Sequence, residues 1–408
     1  WGFSFQHPNY AGAILELMYD RPTERPNGVR LLSRKTVQTQ ARNPGIDSLR
    51  GLSIVLVVLF HVKIRFPILK SDAADWLPQR LLRALTESGF AGVTIFFVIS
   101  GYLITKHTLR RHGALAKMDL RGFYVRRAAR ILPFLLLLVA VLSALHSLGV
   151  PKFTIDTTRQ SLGGAVFSAL FLHLNWYEAT TGYLPGAWDV MWSLSIEEVF
   201  YLGFPIACVV LRKPWLLALG FLAFALSLPS LRASIDDWMW MSKAYLPGMA
   251  SIAMGVFAAQ VAQVFRPRKW LCYGFMLFGG LGVSAALGGV DILWPHLGHS
   301  LVLLQTASTA LLLIGLDVGH QDHNIYALPG LGWLRSFGRL SYEIYLTHMF
   351  VVFGAHGLIL MLFGKSEAVG WVWYIPILLL SWVPGYLISR YYTVPTDQWL
   401  RKRWLKTA

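Results

Sequence analysis

The chain has 408 residues, of which 55% are hydrophobic and 14% charged, and its mean hydropathy is +0.50. Because average soluble domains carry about a quarter charged residues, this composition excludes soluble globular, disordered and collagen-like proteins and predicts an integral membrane protein. The formal net charge of +16 is then interpreted as cytoplasmic loop charge facing anionic lipid. We expect a lipid bilayer and no nucleic acid as partner. The cysteines Cys208 and Cys272 lie in apolar runs without metal-ligand spacing, so neither a disulfide framework nor a metal site is predicted.

The first 45 residues contain no apolar run long enough for a signal peptide, and the chain begins with Trp1 rather than Met. We interpret this start as processed, truncated or misassigned. The expectation for 1–45 is a cytoplasmic extension of unknown role.

Apolar runs of spanning length recur from Ile46 onward. They lie near 46–66, 88–105, 131–150, 161–177, 194–211, 214–231, 244–265, 270–290, 300–317, 340–363 and 369–391. If all eleven crossed the membrane, Arg212 and Lys213 would lie opposite the basic loop 106–130, which the positive-inside rule disfavours.

Treating 161–177 as a re-entrant or interfacial segment leaves ten spans and places most of the Lys and Arg residues on one side. The predicted fold class is therefore all-α, a polytopic bundle of about ten transmembrane helices with both termini cytoplasmic. The predicted parts are an irregular outer segment at 151–193, a membrane domain at 46–395 and a basic cytoplasmic tail at 396–408.

The first span contains two ionisable residues that point to function. Arg50 and His61 are eleven positions apart, which on a helix is about 16 Å and nearly three full turns, so both lie close to one face. Ionisable side chains inside the bilayer are costly and often functional. The alternative is that His61 only bonds a neighbouring helix.

Further candidates come from the next two spans. Ser100 lies beside Gly101 in the second span, where small residues permit close helix packing and Ser100 can also line a cavity. Arg127 and Arg130 are three residues apart, so on a helix both guanidinium groups face one way and suit forked binding of phosphate oxygens. A positive-inside anchor explains that pair equally well.

Two later segments carry the remaining candidates. Trp192 opens a span that contains Glu197 and Glu198, which either cap the helix or face inward to orient an imidazole. In the run 340–363, three polar residues at spacings of four and three share one helix face. These three are Ser341, Tyr345 and His348.

Together these motifs resemble the acyltransferase-3 family of multispanning membrane O-acyltransferases. The matching blocks are Ile46-Asp47-Ser48-Leu49-Arg50-Gly51 through His61, Phe96 to Leu103, Arg127 to Pro133, Trp192 to Tyr201 and Ser341 to His348. They run in family order across most of the chain. No further domain follows the last span in this sequence, so a stand-alone member is expected.

The resemblance implies an enzyme of a bacterial plasma membrane that moves an acyl group, commonly acetyl, from cytoplasmic acyl-CoA to a hydroxyl. The acceptor would be a carbohydrate, a cell-surface polysaccharide or a small molecule such as a macrolide, and no cofactor would be bound. The resemblance makes His61 catalytic together with Arg50, and makes Arg127 and Arg130 donor contacts. We further expect Glu197 to hold the tautomer of His61. The remaining cavity candidates are Ser100, Trp192, Glu198, Ser341, Tyr345 and His348.

A proton-coupled transporter or flippase is the alternative, because ten spans with buried His, Arg and Glu also describe such carriers. Carriers often contain internal repeats, and the sequence has no second copy of either arginine motif. The acyltransferase is therefore the favoured prediction.

Overall fold

The computed structural model describes residues 42–325, 328–364 and 368–406, and these contain helices and helical turns but no β-strand. Ten helical segments of this part of the chain are long and apolar enough to cross a membrane. They confirm the predicted all-α fold with about ten spans. The longest continuous helix of each segment is, in chain order, α1 Pro44–Arg65, α2 Gly89–His112, α3 Leu120–Ser147, α4 Trp192–Val210, α5 Pro214–Leu226, α6 Tyr245–Val264, α7 Lys269–Gly288, α8 Ser300–His323, α9 Ser341–Phe363 and α10 Tyr374–Ile388.

Shorter helices extend or connect these spans. A π-helical turn, Ser389–Thr393, joins α10 to a final helix, Val394–Lys406, and Leu228–Ala233 extends α5. The other short helices are Ile68–Lys70, Ala73–Trp76, Gln79–Thr86, Leu115–Lys117, Leu162–Leu170, Leu174–Thr181, Gly186–Asp189, Trp238–Lys243, Val290–Leu297, Gly332–Arg339 and Gly370–Trp373.

The run 161–177 does not form a spanning helix. It is divided between Leu162–Leu170 and Leu174–Thr181, and between them Leu172 adopts a left-handed conformation with φ 62°. Helices of 9 and 8 residues reach only about 12 to 14 Å, less than half of the hydrocarbon thickness. The expectation that this run does not cross the membrane as one helix is therefore confirmed.

The third span begins earlier than the sequence predicted. Helix α3 starts at Leu120 rather than near 131, because Asp119 caps it and accepts a hydrogen bond from the Gly122 amide at 2.9 Å. The arginines of the presumed loop therefore stand on a continuous helix. Likewise, helical structure continues through 395 into Val394–Lys406, which packs along α3.

Glycines allow the closest helix contacts in the bundle. A Cβ added at Gly255 on α6 would lie 2.8 Å from the Tyr102 amide nitrogen on α2, and one at Gly101 would lie 2.9 Å from the Ile252 carbonyl carbon. These two positions face each other across the α2–α6 contact, so the two backbones approach as only small residues permit.

Helices α5 and α7 lie on the outside of the bundle, whereas α1, α2, α6 and α8 are largely buried. The outer helices expose large apolar side chains such as Trp215, Leu219, Leu277 and Phe278. Lipid-facing helices carry this kind of surface. The chain is therefore a multi-pass membrane protein whose polar residues concentrate between the inner helices.

Candidate active site

Two of the cavities in the described part of the bundle adjoin each other, and Val93 and Tyr345 line both of them. The first, here called the arginine cavity, has a volume of about 360 Å³. Its polar lining consists of Arg50, Ser100, His107, Arg127, Arg130, Ser193, Glu197, Tyr201, Ser341, Tyr342, Tyr345 and Arg401. The second, the histidine cavity, has a volume of about 680 Å³ and contains His61. Because two residues are common to both, the cavities lie back to back.

Arg127 is held firmly on the wall of the arginine cavity. Its guanidinium forms an ion pair with Glu198, lies 3.7 Å from Glu197, and stacks over the Tyr201 ring at 3.7 Å from the ring centroid. Carboxylates and an aromatic face together fix the plane of a guanidinium. The paired glutamates of α4 therefore position an arginine of α3.

Arg130, one turn further along α3, has an equivalent arrangement. It pairs with the buried carboxylate of Glu343 at 3.1 Å and lies over the Tyr342 ring at 5.2 Å. Because each guanidinium has five N–H donors and a carboxylate engages only some of them, both arginines keep donors available for a ligand.

Arg50 reaches the same cavity from α1. Its terminal nitrogen donates to the Ser341 hydroxyl at 2.9 Å, which ties α1 to the first turn of α9. The structure thus brings Arg50, Arg127 and Arg130 to one cavity from two helices. Three arginines facing one partly buried space form a site suited to phosphate groups.

Ser100 connects α2 to the glutamate pair. Its hydroxyl donates to Glu197 and lies close to the Tyr201 hydroxyl, which itself donates to Glu197 at 2.9 Å. The expectation that Ser100 lines a cavity agrees with this position. Tyr201 is a member of the site that sequence reasoning did not single out, although its spacing of four residues from Glu197 was the available signal.

The expected contact between Glu197 and His61 is wrong, because Glu197 bonds Ser100 and Tyr201 in the arginine cavity while His61 lines the histidine cavity. The imidazole Nδ1 of His61 lies 2.8 Å from the Val57 carbonyl oxygen. Since a carbonyl can only accept, Nδ1 must carry the proton, and in the neutral ring the lone pair is then on Nε2. A backbone carbonyl of α1 therefore does what was expected of a glutamate.

His348 on α9 is the side-chain neighbour of His61. It is fully buried, its Nδ1 donates to the Tyr345 carbonyl at 2.8 Å, and its Nε2 lies 3.2 Å from Nδ1 of His61. The unprotonated Nε2 of His348 thus accepts a second, longer bond from the same Nδ1–H of His61. Two acceptors support one tautomer of His61, with its basic nitrogen free.

Tyr345 lies at the junction of the two cavities. Its hydroxyl is 2.8 Å from that of Ser193, and its ring packs 6.1 Å from the ring of His348. Ser341, Tyr345 and His348 therefore lie along one face of α9, as their spacing predicted. Trp192 lines the histidine cavity and packs its ring against Phe97.

The histidine cavity contains a buried charged group that sequence reasoning missed. Lys243 is ion-paired with Asp189 and with Glu178, the latter at 2.7 Å. Burial and the neighbouring Asp189 carboxylate raise the pKa of the Glu178 carboxyl well above its usual range. Asp189 stands three residues before Trp192, and that adjacency to a recognised motif was the only signal in the sequence.

Aromatic side chains make up much of the remaining histidine cavity. The lining includes Phe60, Phe90, Tyr183, Trp192, Trp238 and Trp294. Flat apolar rings interspersed with a few fixed polar groups are typical of sites for small organic ligands.

Comparison with known proteins places this site in a family. A family model described as an acyltransferase domain matches residues 43–390. The chain is 30% identical over 174 residues to an O-acetyltransferase OatA of Staphylococcus aureus, covering 41% of the chain and 25% of that relative. It is 29% identical over 229 residues to a peptidoglycan O-acetyltransferase OatA of Listeria monocytogenes, covering 53% and 31%.

A third relative, a putative O-acetyltransferase of Staphylococcus aureus, is 29% identical over 337 residues, with 77% of the chain and 51% of the relative covered. The chain thus spans between a quarter and about half of the length of these curated relatives. No solved structure matches the chain.

Proposed function

The chain belongs to this acyltransferase family, and on that premise we propose that it transfers an acetyl group from cytoplasmic acyl-CoA to a hydroxyl of a carbohydrate acceptor. The observation that carries the proposal is the pair of cavities that meet at Tyr345, one lined by arginines and the other by His61. Such an arrangement separates a phosphate-bearing donor from a second substrate and leaves one junction where they meet.

The donor occupies the arginine cavity in this proposal. Arg127 and Arg130 bind its phosphates through the N–H donors that their carboxylate partners leave available, and Arg50 lies beside them. The pantetheine arm of CoA then extends toward Tyr345, with the thioester at the junction. The positive-inside distribution supports a cytoplasmic entrance, with both termini on that side of a plasma membrane.

The acceptor occupies the histidine cavity. Nε2 of His61 takes the proton of the acceptor hydroxyl as its oxygen attacks the thioester carbonyl, which forms the ester C–O bond. The C–S bond then breaks, and the imidazolium returns the proton to the leaving CoA thiolate. Protons and charge balance, because the products are an acyl ester and CoA thiol.

Two observations support a carbohydrate as acceptor. The aromatic rings and the Asp189–Lys243 pair of the histidine cavity offer flat apolar faces and hydrogen-bonding groups side by side, a combination that matches the C–H faces and hydroxyls of a sugar ring. The Listeria relative bears the name of a peptidoglycan O-acetyltransferase, and peptidoglycan is a carbohydrate polymer with free hydroxyls.

Purified protein in lipid nanodiscs, given acetyl-CoA with a radiolabelled acetyl group and an N-acetylmuramic acid glycoside, tests the proposal. We expect label to appear on the glycoside as an alkali-labile ester, with CoA thiol released in equal amount. If the protein neither binds acetyl-CoA nor releases CoA, the proposal is refuted. Uptake of the unmodified glycoside into proteoliposomes would instead identify a transporter.

A further inference from the structure

The last helix contributes a fourth arginine to the arginine cavity. Helix Val394–Lys406 packs along α3, and its Arg401 lines the cavity together with Arg50, Arg127 and Arg130. From the sequence, this segment was predicted to be a basic tail outside the membrane domain. In the structure it forms part of the cavity wall.

The π-helical turn Ser389–Thr393 sets the direction in which this helix faces. A π-turn holds one residue more than a regular turn, which rotates all following side chains by about 100°. Thr393, Asp397 and Arg401 follow at intervals of four and so form one stripe. Thr393 donates to the Glu343 carboxylate at 2.8 Å, and Glu343 is the ion-pair partner of Arg130. The stripe is therefore anchored to the arginine pair of α3.

A hydrogen bond to Asp397 orients the guanidinium of Arg401 so that it can bind an anion. The Nε of Arg401 donates to the Asp397 carboxylate at 2.7 Å. This bond occupies the inner N–H of the guanidinium and leaves the four N–H donors of its two terminal nitrogens available. Those donors have the planar fork geometry that matches phosphate oxygens.

Arg401 has a more exposed side chain than Arg130 or Arg127, which places it at the mouth of the arginine cavity. Its side chain is 38% exposed, compared with 29% for Arg130 and 21% for Arg127. Tyr345, where the arginine cavity meets the histidine cavity, lies away from Arg401 in the proposed arrangement. An acyl-CoA with its thioester at that junction directs its adenosine end toward the mouth, and the ribose 3′-phosphate is the phosphate nearest that end of the molecule.

We propose that Arg401 binds the 3′-phosphate at the adenosine end of the acyl-CoA donor, an inference that rests on the proposed function. The last helix is then part of the donor site. Its arginine selects the phosphorylated donor, whereas Arg127 and Arg130 engage the pyrophosphate deeper in the cavity.

The test compares binding of acetyl-CoA and 3′-dephospho-acetyl-CoA to the full chain in nanodiscs at constant low salt. We expect the wild-type protein to bind the dephosphorylated donor about tenfold more weakly, in line with the loss of one charge-assisted contact. Arg401→Ala should bind acetyl-CoA about tenfold more weakly than wild type and should bind the dephosphorylated donor as wild type does. The preference for the 3′-phosphate disappears.

Two variants control for effects on folding. Lys402→Ala changes an exposed residue of the same helix and should keep the full preference. Arg401→Lys keeps the charge and should keep part of it. An Arg401→Ala protein that retains the wild-type preference, or that binds both donors equally more weakly than wild type, overturns the inference while leaving the proposed function intact. Absence of acetyl-CoA binding by the wild-type protein refutes the proposed function instead.

Discussion

At the scale of residues, the site separates two tasks that a single set of polar side chains cannot perform well together. In the arginine cavity, the guanidinium groups of Arg127 and Arg130 are each held in place by a glutamate and an aromatic ring. His61 lies in the other cavity, against a carbonyl and a second histidine. A general base requires the neutral imidazole, whose unprotonated nitrogen accepts the proton of the acceptor hydroxyl.

Replacement of His61, the proposed general base, should lower the turnover rate and leave acetyl-CoA binding unchanged. We expect His61→Ala to lower kcat by about 10²-fold or more, because general-base catalysis contributes that much, while acetyl-CoA affinity stays near the wild-type value. Single-turnover kinetics and equilibrium donor binding on the same preparation measure the two quantities. His356→Ala is the control, since His356 lies outside both cavity linings; it should retain kcat. Near-wild-type kcat in His61→Ala would exclude His61 from the mechanism.

Arginine replacement should have the opposite effect. Arg127→Ala should weaken acetyl-CoA binding about tenfold or more, and Arg127→Lys should restore little, because an ammonium cannot present a planar fork. Removing Arg127 also leaves the Glu198 carboxylate without its partner, which lowers stability.

The double variant Arg127→Ala/Glu198→Gln distinguishes these two effects. It should recover the yield of folded protein and remain weak in donor binding. Recovery of full affinity in the double variant would show that Arg127 only neutralises a buried acid.

At the scale of elements, the positions of the helices depend on a few close backbone approaches. The contact of α6 with α2, the helix that carries Ser100, depends on the glycine pair Gly101 and Gly255. The short helix Gly332–Arg339 packs on α1 in a similar way, with Gly338 against the Asp47 backbone. These glycines thus determine how closely the paired helices approach.

A methyl group added at the α2–α6 contact should lower the stability of the protein. Gly255→Ala places a Cβ against the α2 backbone, and we expect a loss of roughly 1–3 kcal/mol in the free energy of unfolding from overpacking. Gly274→Ala on α7 is the matched control, because nothing lies within 4 Å of its added Cβ. It should raise stability slightly through helix propensity. Thermal unfolding in detergent measures the stability of both variants. Equal stability of the two would contradict the inference that the α2–α6 contact requires a glycine at position 255.

At the level of the whole molecule, the two cavities lie toward opposite ends of the inner helices. The arginine cavity lies where α1 and α9 begin and α2 ends, and the histidine cavity lies toward the other ends of these helices. The distribution of Lys and Arg predicts that the first face is cytoplasmic. Under the proposed function, the donor would then enter from inside the cell and the acceptor from outside.

Cysteine labelling tests this orientation. Cysteines at Arg159 and Tyr183, both exposed and in the segment between α3 and α4, should react with an impermeant thiol reagent in intact cells. Those at Lys117 and Lys269, also exposed, should react only after permeabilisation. The native Cys208 and Cys272 are buried and provide the unlabelled background. Labelling of Tyr183→Cys only after permeabilisation would reverse the proposed sides of donor and acceptor.

The all-α class, the ten spans and the family could be predicted from the sequence alone, because these depend on the length of apolar runs, the distribution of charge and short motifs that are local in the chain. The sequence also identified Arg50, His61, Arg127, Arg130 and the polar face of α9 as candidates, since an ionisable residue in an apolar helix stands out without any knowledge of its neighbours.

Which of these residues meet depends on the tertiary structure. It pairs Glu197 with Ser100 and Tyr201 rather than with His61, brings Asp189, Lys243 and Glu178 together, and turns the last helix so that Arg401 lines the arginine cavity. The physical reason is that such contacts join residues tens to hundreds of positions apart. The crossing of helices, their glycine contacts and a single π-turn bring them together, and hydrophobic periodicity encodes none of these.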